Sequence, residues 1–203
     1  MSYEQYEQTA ASIQMMVRGT IIYISGGVYD IFRGEGSQRN LQLLINSFPT
    51  LAERAAQARK HAVSYRGFHV GCAALASNPE EKGADQTAIF LGCNEKTASD
   101  AQTVCAERVA VQSALAWGYR HIVAIAIEGP PQEDHGSGIK SPTLHPCKDC
   151  RAAFQYTPNV SPNTYIITLN PMSGQGQICL FRELILIHHG PNHLQWHALG
   201  RPT

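Results

Sequence analysis

Between Phe68 and Asn170 the hydrophobic positions fall into short, well-separated runs. "FHVGCAALA" is apolar almost throughout and is closed by the turn-forming "SNPEEKG". "TAIFLGCN" follows, so the two read as strands joined in a hairpin. The period then changes. In "SDAQTVCAERVAVQSALAWG" the apolar residues Val104, Val109, Val111, Ala114 and Leu115 mark a helix, and Gly118 supplies its stop. "HIVAIAIEG" is again near-continuous, as for a strand covered on both faces. A Gly/Pro-rich loop, "PPQEDHGSGIKSPTL", leads to a helix opened by Cys147, "CKDCRAAFQY", and "NTYIITLN" is a further strand. The order ββαβαβ predicts an α/β fold, a mixed sheet with helices packed on its faces.

The first 50 residues look different. "ASIQMMVRG" and "RNLQLLINSF" have mixed helical periodicity, separated by "SGGVYDIFRGEGS". Pro49 predicts a break, with Thr50 as the N-cap of a new helix over "LAERAAQARKHAV". This divides the chain into an N-terminal extension, 1–50, and a main domain with a C-terminal tail, 51–203. The length suits one substantial core.

Composition narrows the class. With 43% hydrophobic and 16% charged residues, the chain is too apolar to be disordered. Lys plus Arg and Asp plus Glu are both 16, for a formal net charge of zero. There is thus no global attraction to nucleic acid or anionic lipid, and neither a polynucleotide nor a membrane is expected as partner. No apolar run approaches the roughly 20 residues of a spanning helix. "MSYEQYEQTA" lacks the layout of a secretory signal, so a cytoplasmic location is the expectation. There, six cysteines have no need of disulfides, and the close Cys147/Cys150 pair reads as metal ligation.

The chemistry concentrates in "TVCAERVA", residues 103–110, and "HPCKDC". Three thiolates, Cys105, Cys147 and Cys150, with one position open for water, form a zinc arrangement suited to catalysis. All three lie near helix starts, where the positive end of the dipole favours thiolates. Arg108 and Arg151 follow the ligands closely and could offset the negative charge of three sulfurs. Glu107 could take a proton from water beside the metal and pass it to a leaving amine. A Cys or His, then Glu, then Pro-Cys-x-x-Cys is the general signature of zinc deaminases. The competing reading is a closed zinc staple, whose sign is a fourth protein ligand. Cys72, Cys93 and Cys179 lie in apolar stretches and read as core fillers. His145 reads as structural, and Tyr65 and Trp196 as packing. His188, His189, His193 and His197 read as surface or interface residues, because Gly190 and Pro191 interrupt their helical spacing.

From about Leu51 to Leu169 the chain resembles the cytidine deaminase family. "FHVGCAAL" is similar to its F-x-V-G-A-A-L strand, "GCN" to its G-x-N-x-E-N turn, and "CAERVA" and "PCKDCR" to its zinc motifs. The resemblance implies a three-layer α/β/α fold with a mixed sheet. It also implies zinc held by Cys105, Cys147 and Cys150, and Glu107 as proton shuttle during attack on C4 of the base. Phe68 would pack on the pyrimidine, Asn94 would hydrogen-bond the ribose, and the backbone around Ala106 would read the edge of the base. The implied reaction turns cytidine or deoxycytidine into the uracil nucleoside plus ammonia. The all-cysteine ligand set is similar to that of the small members, which form homo-oligomers, so a tetramer or dimer is expected.

The chain departs from the pattern in the turn, which reads Asn94-Glu95-Lys96, with Lys96 where the family has its acid. Glu95 is one place early, and neighbours on a strand point to opposite faces. Upstream, Arg66 of "SYR" is a second cation. These changes suggest an alternative substrate, an anionic or modified cytosine compound such as a nucleotide or a blasticidin-type antibiotic. The plainer possibility is Lys96 pointing to solvent or pairing with an acid of another subunit. A non-catalytic partner subunit that keeps the zinc fold is a further alternative. Ala152 in place of Gln and the longer "PPQEDHGSGIK" segment are lesser differences.

Overall fold

The computed structural model of the chain describes residues 22–24, 35–64, 67–78, 86–97, 103–131, 143–182 and 184. The expectations for Tyr65, Arg66, Trp196, the C-terminal histidines and most of the "PPQEDHGSGIK" loop lie outside the described residues. In chain order the elements are β1 (Ile22–Ile24), α1 (Glu35–Arg59), β2 (Val63–Ser64), β3 (Gly71–Asn78), β4 (Gln86–Cys93) and β5 (Glu95–Lys96). After them come α2 (Ala106–Ala116), β6 (His121–Glu128), α3 (Lys148–Tyr156), β7 (Tyr165–Leu169) and β8 (Gly176–Leu180).

Six strands form one mixed sheet in the order β1-β8-β7-β6-β3-β4. The β3–β4 hairpin is antiparallel, as its turn residues predicted, and β3 also runs antiparallel to β6. β6 and β7 are parallel, joined by a crossover that carries α3. The pleat splits the core in two. Ala73, Leu75, Tyr165, Ile167, Leu169, Ile178 and Leu180 pack against Leu41, Leu44, Phe48, Leu51 and Ala55 of α1. Cys72, Ala74, Ala76, Ile166 and Cys179 turn the other way, toward Ala106, Ala110, Val111 and Ala114 of α2 and Phe154 of α3. The result is the three-layer α/β/α arrangement with a mixed sheet. The β3–β6 register slips between Leu75 and Ala76 of β3, leaving Val123 of β6 without a cross-strand partner. Hence Ile122 and Ile125 both face α2 and α3 although three positions apart.

One expectation fails. The chain does not break at Pro49; α1 runs through it as a single 25-residue helix, and the boundary at residue 50 falls inside that helix. Proline removes one backbone hydrogen bond and crowds the preceding turn. Against that, Leu41, Leu44, Phe48, Leu51, Ala55 and Ala58 make an unbroken buried stripe at spacings of three and four. Pro49 itself is exposed on the opposite face. Tertiary burial outweighs the local penalty.

The stop of α2 follows the sequence. Gly118 takes φ 82°, its N–H donates to the Leu115 carbonyl at 3.0 Å, and the Tyr119 N–H donates to that of Ala114 at 3.0 Å. This is the paired closure of a left-handed C-terminal cap. The start of α2 is later than the apolar pattern suggested. Val104 lies outside the helix, on an antiparallel bridge to Glu95. Among the described residues, no helix is long and apolar enough to cross a membrane.

Candidate active site

The site forms where α2 and α3 begin, on the same face of the sheet. Gly92 in β4 allows the first approach: a Cβ there would meet the Ala106 carbonyl and lie 2.7 Å from the Ala110 nitrogen. The first turn of α2 therefore seats directly on the strand. Cys105 is its N-cap, in an extended conformation, and Cys147 is the N-cap of α3. Each holds a position where Ser, Thr, Asp or Asn is usual. Cys150 lies in the first turn of α3 and is fully buried.

The segment entering α3 is tied down twice. Buried Arg151 donates from Nη1 to the Pro146 carbonyl at 2.8 Å. Thr143 Oγ1 donates to Gln177 Oε1 at 2.8 Å and lies 2.6 Å from Thr168 Oγ1. These bonds fix the ligand-bearing chain to β7 and β8.

The Cys105 and Cys147 sulfurs are 3.7 Å apart, and the three sulfurs lie within 4.8 Å of one another. A tetrahedral zinc with Zn–S bonds of about 2.3 Å sets its sulfurs about 3.8 Å apart. The donor set and its spacing fit zinc. Among the described residues no His, Asp, Glu or further Cys joins the group. Hydrogen bonds from the Cys105 and Cys150 thiols, helped by the Cys150 and Asp149 backbone N–H groups, pull the Cys147 thiol far below its ordinary range. The same sharing pushes Cys105 and Cys150 up. The lowering at Cys147 thus comes first from its neighbouring thiols and only in smaller part from the N–H groups of the helix start. Cys105 and Cys150, also at helix starts, are not lowered, and the proton-sharing sulfurs act as one unit. Buried Glu107 completes the cluster. Burial raises its carboxyl to about 7, against the opposing pull of its own backbone N–H.

Phe68, Asn94 and Lys96 come together at the adjoining wall. Asn94 is buried, and its side chain clamps the backbone: Oδ1 accepts from the Val70 N–H at 2.7 Å, and Nδ2 donates to the Phe68 carbonyl at 2.9 Å. The Phe68 N–H donates to Ser64 Oγ at 3.1 Å. β2 and β5 pair in parallel, Val63 with Glu95 and Ser64 with Lys96. Paired residues share a face. Glu95 therefore stands beside Val63 and Val104, which are 59% and 41% exposed. Lys96 is on the other face, its Nζ 5.1 Å from the centroid of the Phe68 ring. Glu95 does not replace the missing acid.

Ala106 is fully buried at the first position of α2, where a helical N–H has no intrahelical acceptor. Arg108 is exposed on α2. Cys72 and Cys179 are buried, as core fillers should be. Cys93 is not: it is half-buried at the end of β4, its Sγ 3.6 Å from the His61 carbonyl. His145 is half-buried beside the ligand segment. Sequence reasoning missed Gly92 and Thr143. A glycine inside a strand pattern was a usable sign of close backbone approach; Thr143 gave no sign at all.

A family model described as the cytidine and deoxycytidylate deaminase zinc-binding region matches residues 46–159. A cytidine deaminase of Halalkalibacterium halodurans is 30% identical over 136 residues, which cover 66% of this chain and 88% of the relative. The 1.6 Å crystal structure of cytidine deaminase from Burkholderia pseudomallei superposes with a TM-score of 0.52 at 31% identity, covering 69% of this chain and 97% of that one. With that match running across both cysteine segments and the glutamate between them, the chain belongs to the cytidine and deoxycytidylate deaminase family and is a hydrolase of its zinc-binding kind.

Proposed function

We propose that the chain hydrolyses the exocyclic amine of a cytosine nucleoside, cytidine or deoxycytidine or a close derivative, giving the uracil product and ammonia. The observation that carries this reading is the burial of the Glu107 carboxyl against three sulfurs that no fourth side chain joins among the described residues. A metal staple has no use for such a carboxylate. The similarity to cytidine deaminases of two bacteria supports the choice of base.

Cys105, Cys147 and Cys150 would hold the zinc, whose Lewis acidity makes water a usable nucleophile near neutral pH. Glu107 takes the proton that water loses on attacking C4 and places it on N3 of the ring. Glu107 then takes the remaining proton from the new C4 hydroxyl and passes it to the amine, so the C4–N bond breaks, C4=O forms and ammonia departs. A carboxyl raised toward neutrality by burial suits both directions of transfer. Phe68 supplies an apolar face for the ring. Asn94 holds residues 68–70 in place and keeps one amide hydrogen for a sugar oxygen. The N–H at Ala106 faces the base edge. Arg151 fixes the ligand segment, and Arg108 adds positive charge at a distance. The chemistry is assigned to the part after residue 50, and the chain to a cytoplasmic homo-oligomer, tetramer or dimer, serving pyrimidine salvage. The exposed Val63 and Val104, one on either side of Glu95, support association.

Glu107→Gln tests the assignment. It should retain one zinc per chain while kcat for cytidine falls at least about 100-fold. A variant with near-normal turnover would remove Glu107 from the reaction.

A further inference from the structure

The wall beside Glu107 carries a positive charge that the reaction does not use. The β2–β5 register puts Lys96 on the face of Ser64, away from Glu95. Its ammonium sits over the Phe68 ring, 5.1 Å from the centroid. It is also near enough to Glu107 to act on that carboxyl electrostatically. Among the described residues, no carboxylate lies within ion-pair distance of Lys96. An ammonium has three hydrogens to donate and nothing to accept with. Held against an aromatic face at the edge of a half-buried site, it has the Glu107 carboxyl within electrostatic reach but no ion-pair partner among the described residues.

We infer that Lys96 is a specificity residue, and that the preferred substrate is a cytosine nucleoside derivative bearing an anionic group. This rests on the deaminase reading of the same pocket. The shared chemistry is an oxyanion that accepts from Nζ once the base has settled near Phe68. A phosphate and a carboxylate on the sugar both provide it. A neutral sugar offers only hydroxyl lone pairs, which satisfy an ammonium's hydrogen bonds but leave its charge unpaired.

The test uses the full-length, zinc-loaded chain with cytidine, cytidine 5′-monophosphate, cytidine 3′-monophosphate and cytidine 5′-carboxylate. Ammonia release is followed by kcat/KM, and binding to the Glu107→Gln variant by calorimetry. At least one anionic compound should exceed cytidine about ten-fold, and which one does so locates the oxyanion and tells phosphate from carboxylate. Lys96→Met should cut that ratio about ten-fold, Lys96→Arg should keep most of it, and added salt should erode it. Cytidine turned over at least as well as every anionic compound, or an unchanged ratio in Lys96→Met, overturns the inference and leaves the deaminase reading standing. Anionic compounds that bind through Lys96 but release no ammonia from the wild type would do the reverse. Neither binding nor turnover of any compound sinks both.

Discussion

A methyl group at position 92 would meet the Ala106 carbonyl and the Ala110 nitrogen, so the start of α2 can rest on β4 only because residue 92 has no side chain. Backbone atoms cannot swing aside as a flexible side chain can, and relief requires moving the helix that carries Cys105 and Glu107. Gly92→Ala should therefore cost about 2 kcal/mol and lower the zinc content of purified protein, read by thermal melting and metal analysis. Full zinc occupancy at unchanged stability would show that α2 tolerates the shift. The ligand cysteines and Glu107 were legible in the sequence because their chemistry is written at short range, in Cys-Ala-Glu and Cys-x-x-Cys. That Glu95 and Lys96 take opposite sides was legible through strand alternation, but which of them faces Phe68 was not. The Asn94 clamp was not: its partners lie 24 and 26 positions away, and only the folded sheet brings them together. Thr143 and Gln177, 34 positions apart, escaped for the same reason.

Among the elements, α1 shows a local rule overruled. Pro49 costs the helix a hydrogen bond, yet the buried stripe continues past it from Phe48 to Leu51. Because Pro49 is exposed, Pro49→Ala should restore the bond without disturbing packing. The helix gains up to about 3 kcal/mol in propensity, less about 1 kcal/mol from a freer unfolded chain. The net of about 2 kcal/mol should raise Tm by about 4–8 °C; a fall in Tm would mean that the native turn depends on proline. β6 carries a different test. His121 at its start is half-buried, with Nε2 3.1 Å from Asn40 Nδ2, and burial, then Arg39, lowers its pKa from 6.5. The folded protein thus prefers neutral His121, and the unfolded chain binds the proton more readily. Stability should rise as pH increases toward about 6.5 and gain nothing more from this group above it. His121→Gln should flatten that slope in melts between pH 5 and 7. Equal slopes in both proteins would assign the dependence to other groups.

In the whole molecule, the central hairpin, β6, α2, α3 and β7 were readable because each has its own period and its own punctuation. β8 and β1 were not, since their strand character comes from pairing with β7 and with each other at the sheet edge. The division at residue 50 erred more usefully. It treated Leu41, Leu44 and Phe48 as part of an extension, whereas all three are buried with Leu75, Tyr165 and Ile167 in the core beneath the sheet. The zinc site occupies the opposite face, yet both faces share β3, β6 and β7, so losing one layer undermines the other. Truncating any one of these three side chains to alanine should cost about 2–5 kcal/mol. Removing all three, together with the first half of α1, costs about as much as the 5–15 kcal/mol or so that holds a typical domain folded. A chain beginning at residue 51 should therefore show no cooperative thermal transition and retain little zinc, although it keeps Cys105, Glu107, Cys147 and Cys150. A chain beginning at residue 35 retains all of α1 and should bind zinc and melt cooperatively. If the shorter chain folds and holds its metal, the α1 layer is an accessory, and the site needs only the sheet and the two helices that carry its ligands.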